Sequence, residues 1–221
     1  MIAPLHFADA REAADLAAFL ARLIHYDRAA AVRLQAGGGA LAVFGRPPSF
    51  EVLAIRTARL ADAVDLDVTV SAGELLEGIE ESAGKAVVPD AVTGPPWAGV
   101  LPPRGGWEPV SGVPAVAEMR GAVAAAVAEF RARDEELPEE RRTRAERDRI
   151  GREIWSRTLA DTGLPLRAVH AAQSLGFLPP QKMPVALFAS GPWLRLRTPY
   201  GSIALRSVPM SLTVTPGAPS R

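Results

Sequence analysis

The chain has 221 residues, 48% of them hydrophobic and 23% charged, an ordinary globular composition with enough apolar material to bury a core without covalent staples. Lys and Arg together number 25, as do Asp and Glu, so no net field draws the chain toward nucleic acid or anionic lipid. Cysteine is absent, which excludes disulfides, thiolate catalysis and cysteine-ligated metal sites and fits a reducing, cytoplasmic setting. The first residues, MIAPLHFADAREA, show neither a basic n-region nor an apolar h-region. No uncharged apolar run approaches the roughly 18 to 20 residues that span a bilayer, so no membrane segment is expected.

In chain order, residues 2–7 alternate weakly and suggest a short strand. Asp9 and Glu12 have capping-box spacing, and Leu16, Phe19, Leu20, Leu23 and Ile24 follow at helical intervals, so 9–26 reads as an amphipathic helix. Val32 and Leu34 alternate with Arg33 and Gln35 up to Gly37–Gly39, a hairpin signal that leads into ALAVFG. After Pro47 and Pro48, FEVLAIRTARL predicts a third strand. Val64, Leu66, Val68 and Val70 alternate with Asp65, Asp67 and Thr69 in a fourth, half-exposed one, and Ser71-Ala72-Gly73-Glu74 caps a short helix over 71–81.

Residues 86–114 form a Pro- and Gly-rich loop carrying Trp97, Arg104 and Trp107, long enough to be either functional or a linker. An Ala-rich helix over 115–134 and a charged helix over about 138–158 follow. In the second of these, Arg142, Glu146, Arg149 and Glu153 stack alternating charges on one solvated face. LPLRAVHAAQSLGFL is a third helix. PVALFAS and WLRLRTPYGSIALRS then supply two or three strands, with a turn at 199–202 and a further strand signal in SLTVT before a loosely ordered tail, 209–221.

Taken together these elements spell strand, helix and three strands twice. The first unit covers 2–59. The second begins at 64–70 and 71–81 and resumes at 184–208, with 83–183 as an insertion. The segments DVTVSAGELLEGIE and VALFASGPWLRLRTPYGSIALRSVP, in that order, resemble one domain of the DNA sliding clamps. The resemblance covers about half the chain and rests on element order. It implies one α+β domain over 1–208, an antiparallel sheet built from two βαβββ units (residues 2–70 and 184–208) with a helical insertion, and an association with DNA replication or chromosome maintenance. Clamp rings use six such domains and line the hole with cations. Here the second helix carries Glu74, Glu77, Glu80 and Glu81, so DNA binding is expected to be weak or absent.

No residue pattern points to catalysis. His6, His25 and His170 are far apart and show no metal-ligand spacing, so no metal or cofactor is expected. His25-Tyr26-Asp27 could form a hydrogen-bonded acid–base group, but it sits at a helix end, where an imidazole commonly caps carbonyls, and the structural reading is preferred. The glycine run joins two strands and lacks the Lys and Ser/Thr of a phosphate loop. The expectation is a non-enzymatic scaffold or protein-interaction protein, with a homo-oligomer left open and its partner contact on Trp97, Arg104 and Trp107, residue types that dominate interfaces. The bland alternative is that both indoles anchor the loop to the body. A second reading takes TLADTGLPLRAVHAAQSLGFL as a helix-turn-helix with the downstream hairpin as a wing, placing Arg167, His170 and Gln173 against bases. An enzyme of unrecognised chemistry is the third.

Overall fold

The structure, a computed structural model, describes residues 4–206. The strand expected in 211–215 and the tail 209–221 lie outside the described residues. Helix α1, Ala10–Tyr26, starts where the Asp9 side chain accepts from the Glu12 amide at 3.0 Å and buries Leu16, Phe19, Leu20 and Leu23. Each such side chain contributes on the order of 1.5–3 kcal/mol when fully buried. Strands β2 (Ala31–Gly37) and β3 (Ala40–Gly45) form the expected hairpin, with Gly38 at φ 59° and Gly39 at φ 79° supplying the two positive-φ positions of its turn. Strands β4 (Leu53–Arg59) and β5 (Leu66–Ser71) follow.

Eight strands make one antiparallel sheet in the order β5-β2-β3-β4-β11-β10-β9-β8, where β8 is Glu108–Val110, β9 Ala186–Ser190, β10 Trp193–Thr198 and β11 Gly201–Arg206. The strand at 66–71 and the strands between 186 and 206 thus share a sheet across their long separation. The sheet consists of two four-stranded halves, and β4 and β11 join them through three paired positions, Ile55 with Ser202, Ala54 with Ile203 and Leu53 with Ala204. The structure is mixed α and β with antiparallel sheets, as expected.

Three details differ from the doubled unit read from the sequence. The first strand, β1 (Leu5–His6), does not enter the large sheet. It pairs with β7 (Lys85–Ala86), which pairs with β6 (Ile79–Glu80) in a three-stranded sheet of its own. Strand β5 does not open a second unit either. It pairs with β2 over six positions and completes the first half, and helix α2 (Ala72–Glu77) packs beside it and α1. The second half instead starts inside the expected insertion, at β8, whose Val110 pairs with Leu187. Its helices are α3 (Val116–Glu135), α4 (Arg144–Trp155) and α5 (Leu166–Ser174), and it is α5 that covers β11. A strand of three residues containing a proline has too little pattern to declare itself, yet it is tolerated at a sheet edge, where one face of its ladder stays unpaired.

Alternation sorts the strands onto two faces. Val32, Leu34, Leu41, Val43, Ala54, Leu196 and Ile203 point to the helices and are buried with α1 and α5 in the main core. Phe19 of α1 stacks on Phe177, just beyond α5, with ring centroids 5.7 Å apart, so the two helices meet over the seam. On this same face Arg56 of β4 is buried. It donates to the Tyr200 carbonyl at 2.5 Å and to Asp15 of α1 at 2.7 Å. No helix among the described residues is long and apolar enough to cross a membrane.

The Arg56 side chain is 9% exposed and Asp15 is 42% exposed, so part of the bridge is shielded from water. Arg56→Ala should therefore cost roughly 2–4 kcal/mol in urea unfolding, because the Tyr200 carbonyl and Asp15 lose their charged donor together. Arg59, 70% exposed beside Asp9 and Glu12, is the comparison: Arg59→Ala should leave the urea midpoint nearly unmoved. An Arg56→Ala protein with a wild-type midpoint would deny the guanidinium this role.

Candidate functional site

The opposite face of the sheet is covered by the Pro/Gly-rich segment rather than by helices. This strap leaves the β5 edge, where the Val92 amide donates to the Thr69 carbonyl, and crosses to β8. A 3-10 turn at Pro96–Gly99 seats Trp97 part-way, and Trp97, Leu101 and Trp107 pack on a second apolar cluster of Phe44, Leu53, Ile55, Trp193 and Ala204. Trp107 also donates its indole N–H to the Pro103 carbonyl at 2.9 Å, closing the strap on itself. Both tryptophans are half-buried. They anchor the strap, and the third residue expected at a partner contact, Arg104, stands exposed between them.

Between strap and sheet lies a cleft of about 410 Å³. Phe44 and Ile55 form its floor, Gln35 and Thr57 add an amide and a hydroxyl, and Arg104 and Arg195 bring two guanidinium groups. Arg195 was not singled out by sequence. It lies on β10 between Trp193 and Arg197, and its guanidinium carbon sits 5.9 Å from the Trp107 ring centre. Its buried Nε has no hydrogen-bond partner and, among the described residues, no carboxylate lies within ion-pair distance of it. Burial, and then the charge of Arg197, push the Arg195 guanidinium below its usual range. An acid that feels the charge of Arg104 is already engaged: Asp67 accepts from Arg33 at 2.7 Å and Gln35 at 3.3 Å, and the Arg33 hydrogen bond holds its carboxyl below the ordinary value.

Residues 1–99 match the family model of a Domain of unknown function (DUF8010), and residues 102–209 match a second, Domain of unknown function (DUF8185). No curated protein matches the chain. The boundary between the two matches falls in the strap, between Gly99 and Pro102, and corresponds to the two halves of the sheet: β1 to β7 lie in the first match, β8 to β11 in the second.

The residues of the helix-turn-helix reading lie elsewhere, on the helix side. Helix α5 buries Leu166, Ala168, Val169, Ala171 and Ala172 against α3 and β11. Arg167 lies 3.7 Å from Glu51, and the buried Gln173 carbonyl oxygen has no partner. His170 is stacked on Trp155 at 4.5 Å and meets the edge of Phe50 at 5.2 Å. The three are partly buried and separate from the cleft. Near the other end of α1, His25 touches the Tyr26 ring while Asp27 accepts from the Ala29 amide, so the three do not form a hydrogen-bonded relay. The charged helix begins at Arg144 rather than near 138, so Arg142 precedes α4 and the expected charge ladder is partly redirected. Arg142 donates to the Glu135 and Leu137 carbonyls, and Glu153 takes a two-pronged contact from Arg133 of α3. Among the described residues no three His, Asp or Glu side chains come together as a metal site.

Two consequences can be measured. Trp97→Ala and Trp107→Ala should each cost roughly 2–3 kcal/mol, less than a fully buried aromatic truncation because both rings are half-exposed. Urea unfolding checks this, and unchanged midpoints would mean that the strap is not held by its indoles. The second concerns pH. Burial lowers the pKa of His170 from its ordinary 6.5, so the unfolded chain takes up a proton at this position before the folded one does. The stability due to neutral His170 is therefore complete above 6.5, falls as pH drops below it, and levels off below the folded-state value. Midpoints followed from pH 7.5 to 5 should show this slope in the wild type and a shallower one in His170→Phe.

Proposed function

We propose that the protein is a non-enzymatic interaction module and that its partner contacts the strapped face of the sheet at the Arg104–Arg195 cleft. The observation that carries this reading is the contrast between the two faces. The helix side is closed by α1 and α5 with interlocking apolar side chains, while the strap side leaves an open cleft whose two guanidinium groups have no ion-pair partner among the described residues. A partly desolvated cation without a partner, as Arg195 is, is costly in a fold and useful at an interface, where a partner's acid completes it and the exposed Arg104 can join the contact. Prolines at 95, 96, 102 and 103 keep the strap preorganised, which lowers the entropy lost on binding. The reading stands on this cleft and not on the clamp-like element order, because β1 and β5 pair differently from the doubled unit on which an association with DNA replication was expected.

Affinity purification from the native host, with recovered proteins identified by mass spectrometry, tests the reading when wild type and Arg104→Glu are run side by side. Arg104 is exposed and makes no ion pair, so its reversal should leave the melting temperature within about a degree, as surface substitutions do. Recovery of the specific partner should fall several-fold. A partner set that is identical for both proteins, or no specific partner for either, sinks the reading.

A further inference from the structure

The cleft also has a composition that selects among ligands. Its floor is apolar, two planar guanidinium groups stand at its wall and rim, and an amide and a hydroxyl lie within it. We propose that it binds an organic carboxylate: the carboxyl group is received by Arg195 and Arg104, and the apolar body bearing it rests on Phe44 and Ile55. The inference rests on the reading of the strapped face as the contact surface and names its ligand chemistry.

Three physical points favour a carboxylate on an apolar body over a polyanion. Guanidinium groups match the planar, two-oxygen geometry of a carboxylate and bind it in pairs of parallel hydrogen bonds. Nucleic acid draws its affinity from many phosphates neutralised together, whereas this cleft offers two cations and is narrowed by the strap. The Trp107 ring face offsets part of the desolvation of Arg195, but it supplies no acceptor in the plane of the guanidinium, where Nε stays unbonded. That Nε is shut off from the cleft, so an incoming carboxylate is received by the part of the Arg195 guanidinium that lines it. The same side chain explains why the fold itself gains little from an arginine here. A partly buried cation beside Arg197 without an acid contributes little to stability, so its removal should not harm the fold.

Trp107 lies against Arg195 and provides an intrinsic reporter. Tryptophan fluorescence is followed in the full chain while three probes are added: phenylacetate, an amidated peptide of alternating Leu and Glu, and oligothymidylate. The expected result is saturable binding of the peptide, weaker binding of phenylacetate and none of oligothymidylate at physiological salt. Both carboxylates should bind at least roughly tenfold more weakly to Arg195→Gln, the loss of a charge-assisted pair. The melting temperature of Arg195→Gln should equal or exceed that of the wild type. Saturable binding of phenylacetate without any of the peptide keeps the carboxylate site but removes the protein-interaction reading on which it was built. The site itself is overturned if neither carboxylate binds, if binding survives Arg195→Gln, if oligothymidylate binds in their place, or if Arg195→Gln melts lower than wild type, which would make the arginine a packing residue.

Discussion

The architecture turns on a seam only three paired positions long. Strands β4 and β11 come from opposite ends of the chain and share Leu53, Ala54 and Ile55 with Ala204, Ile203 and Ser202. So short a ladder holds few hydrogen bonds, each worth about 1 kcal/mol net, and it cannot by itself hold two four-stranded halves in one sheet. The seam is completed by what covers it. On the helix side Ala54 and Ile203 lie under α1 and α5, and Phe19 stacks on Phe177. Arg56 reaches from β4 to the Tyr200 carbonyl, 144 residues away, while its other nitrogen meets Asp15 of α1. A buried cation is expensive unless its donors are engaged, and with the Arg56 Nε unpartnered the two remaining contacts must both be made, so Arg56 fits only when helix, strand and the distant turn are in register.

That constraint makes the two faces unlike each other. Covering the seam with α1 and α5 closes the helix side, and α3 and α4 build outward from there. Arg133 with Glu153 and Asp134 with Arg147 link α3 to α4, and Glu129 pairs with Arg157 just beyond it, but these side chains are partly solvated and such pairs contribute little. What holds the arm is the burial of Met119, Val123, Ile150 and Ile154. The other face receives no helix, and the strap covers it incompletely. Two tryptophans hold the strap down over the seam, and the space left beside them becomes the cleft.

The cleft therefore draws on both halves of the sheet. Phe44, Ile55 and Thr57 belong to the first matched region, Arg104 and Arg195 to the second. Neither region alone contains the complete constellation. A chain in which each half contributes one wall places its binding chemistry where the halves join, and any change that loosens the seam also reshapes the cleft.

Sequence by itself determined the local elements. The Asp9 cap and the Leu16–Leu23 spacing specify α1, the glycine pair specifies the β2–β3 turn, and period-two alternation marks β4, β5, β10 and β11, because each of these signals acts over a few residues. The residue types of the strap, Trp97, Arg104 and Trp107, were visible in the same way. Partnering was not. Whether β5 completes one half or begins another depends on which strand edge is free, and β1 and β8 are too short for any pattern to assign them. The role of Arg195 was hidden for a related reason. In WLRLRT it alternates just as Arg197 does, and alternation says only that both share a face. The strap, laid across that face from about ninety residues earlier, encloses one arginine and leaves the next exposed. That difference arises from burial between distant segments, which no local spacing encodes.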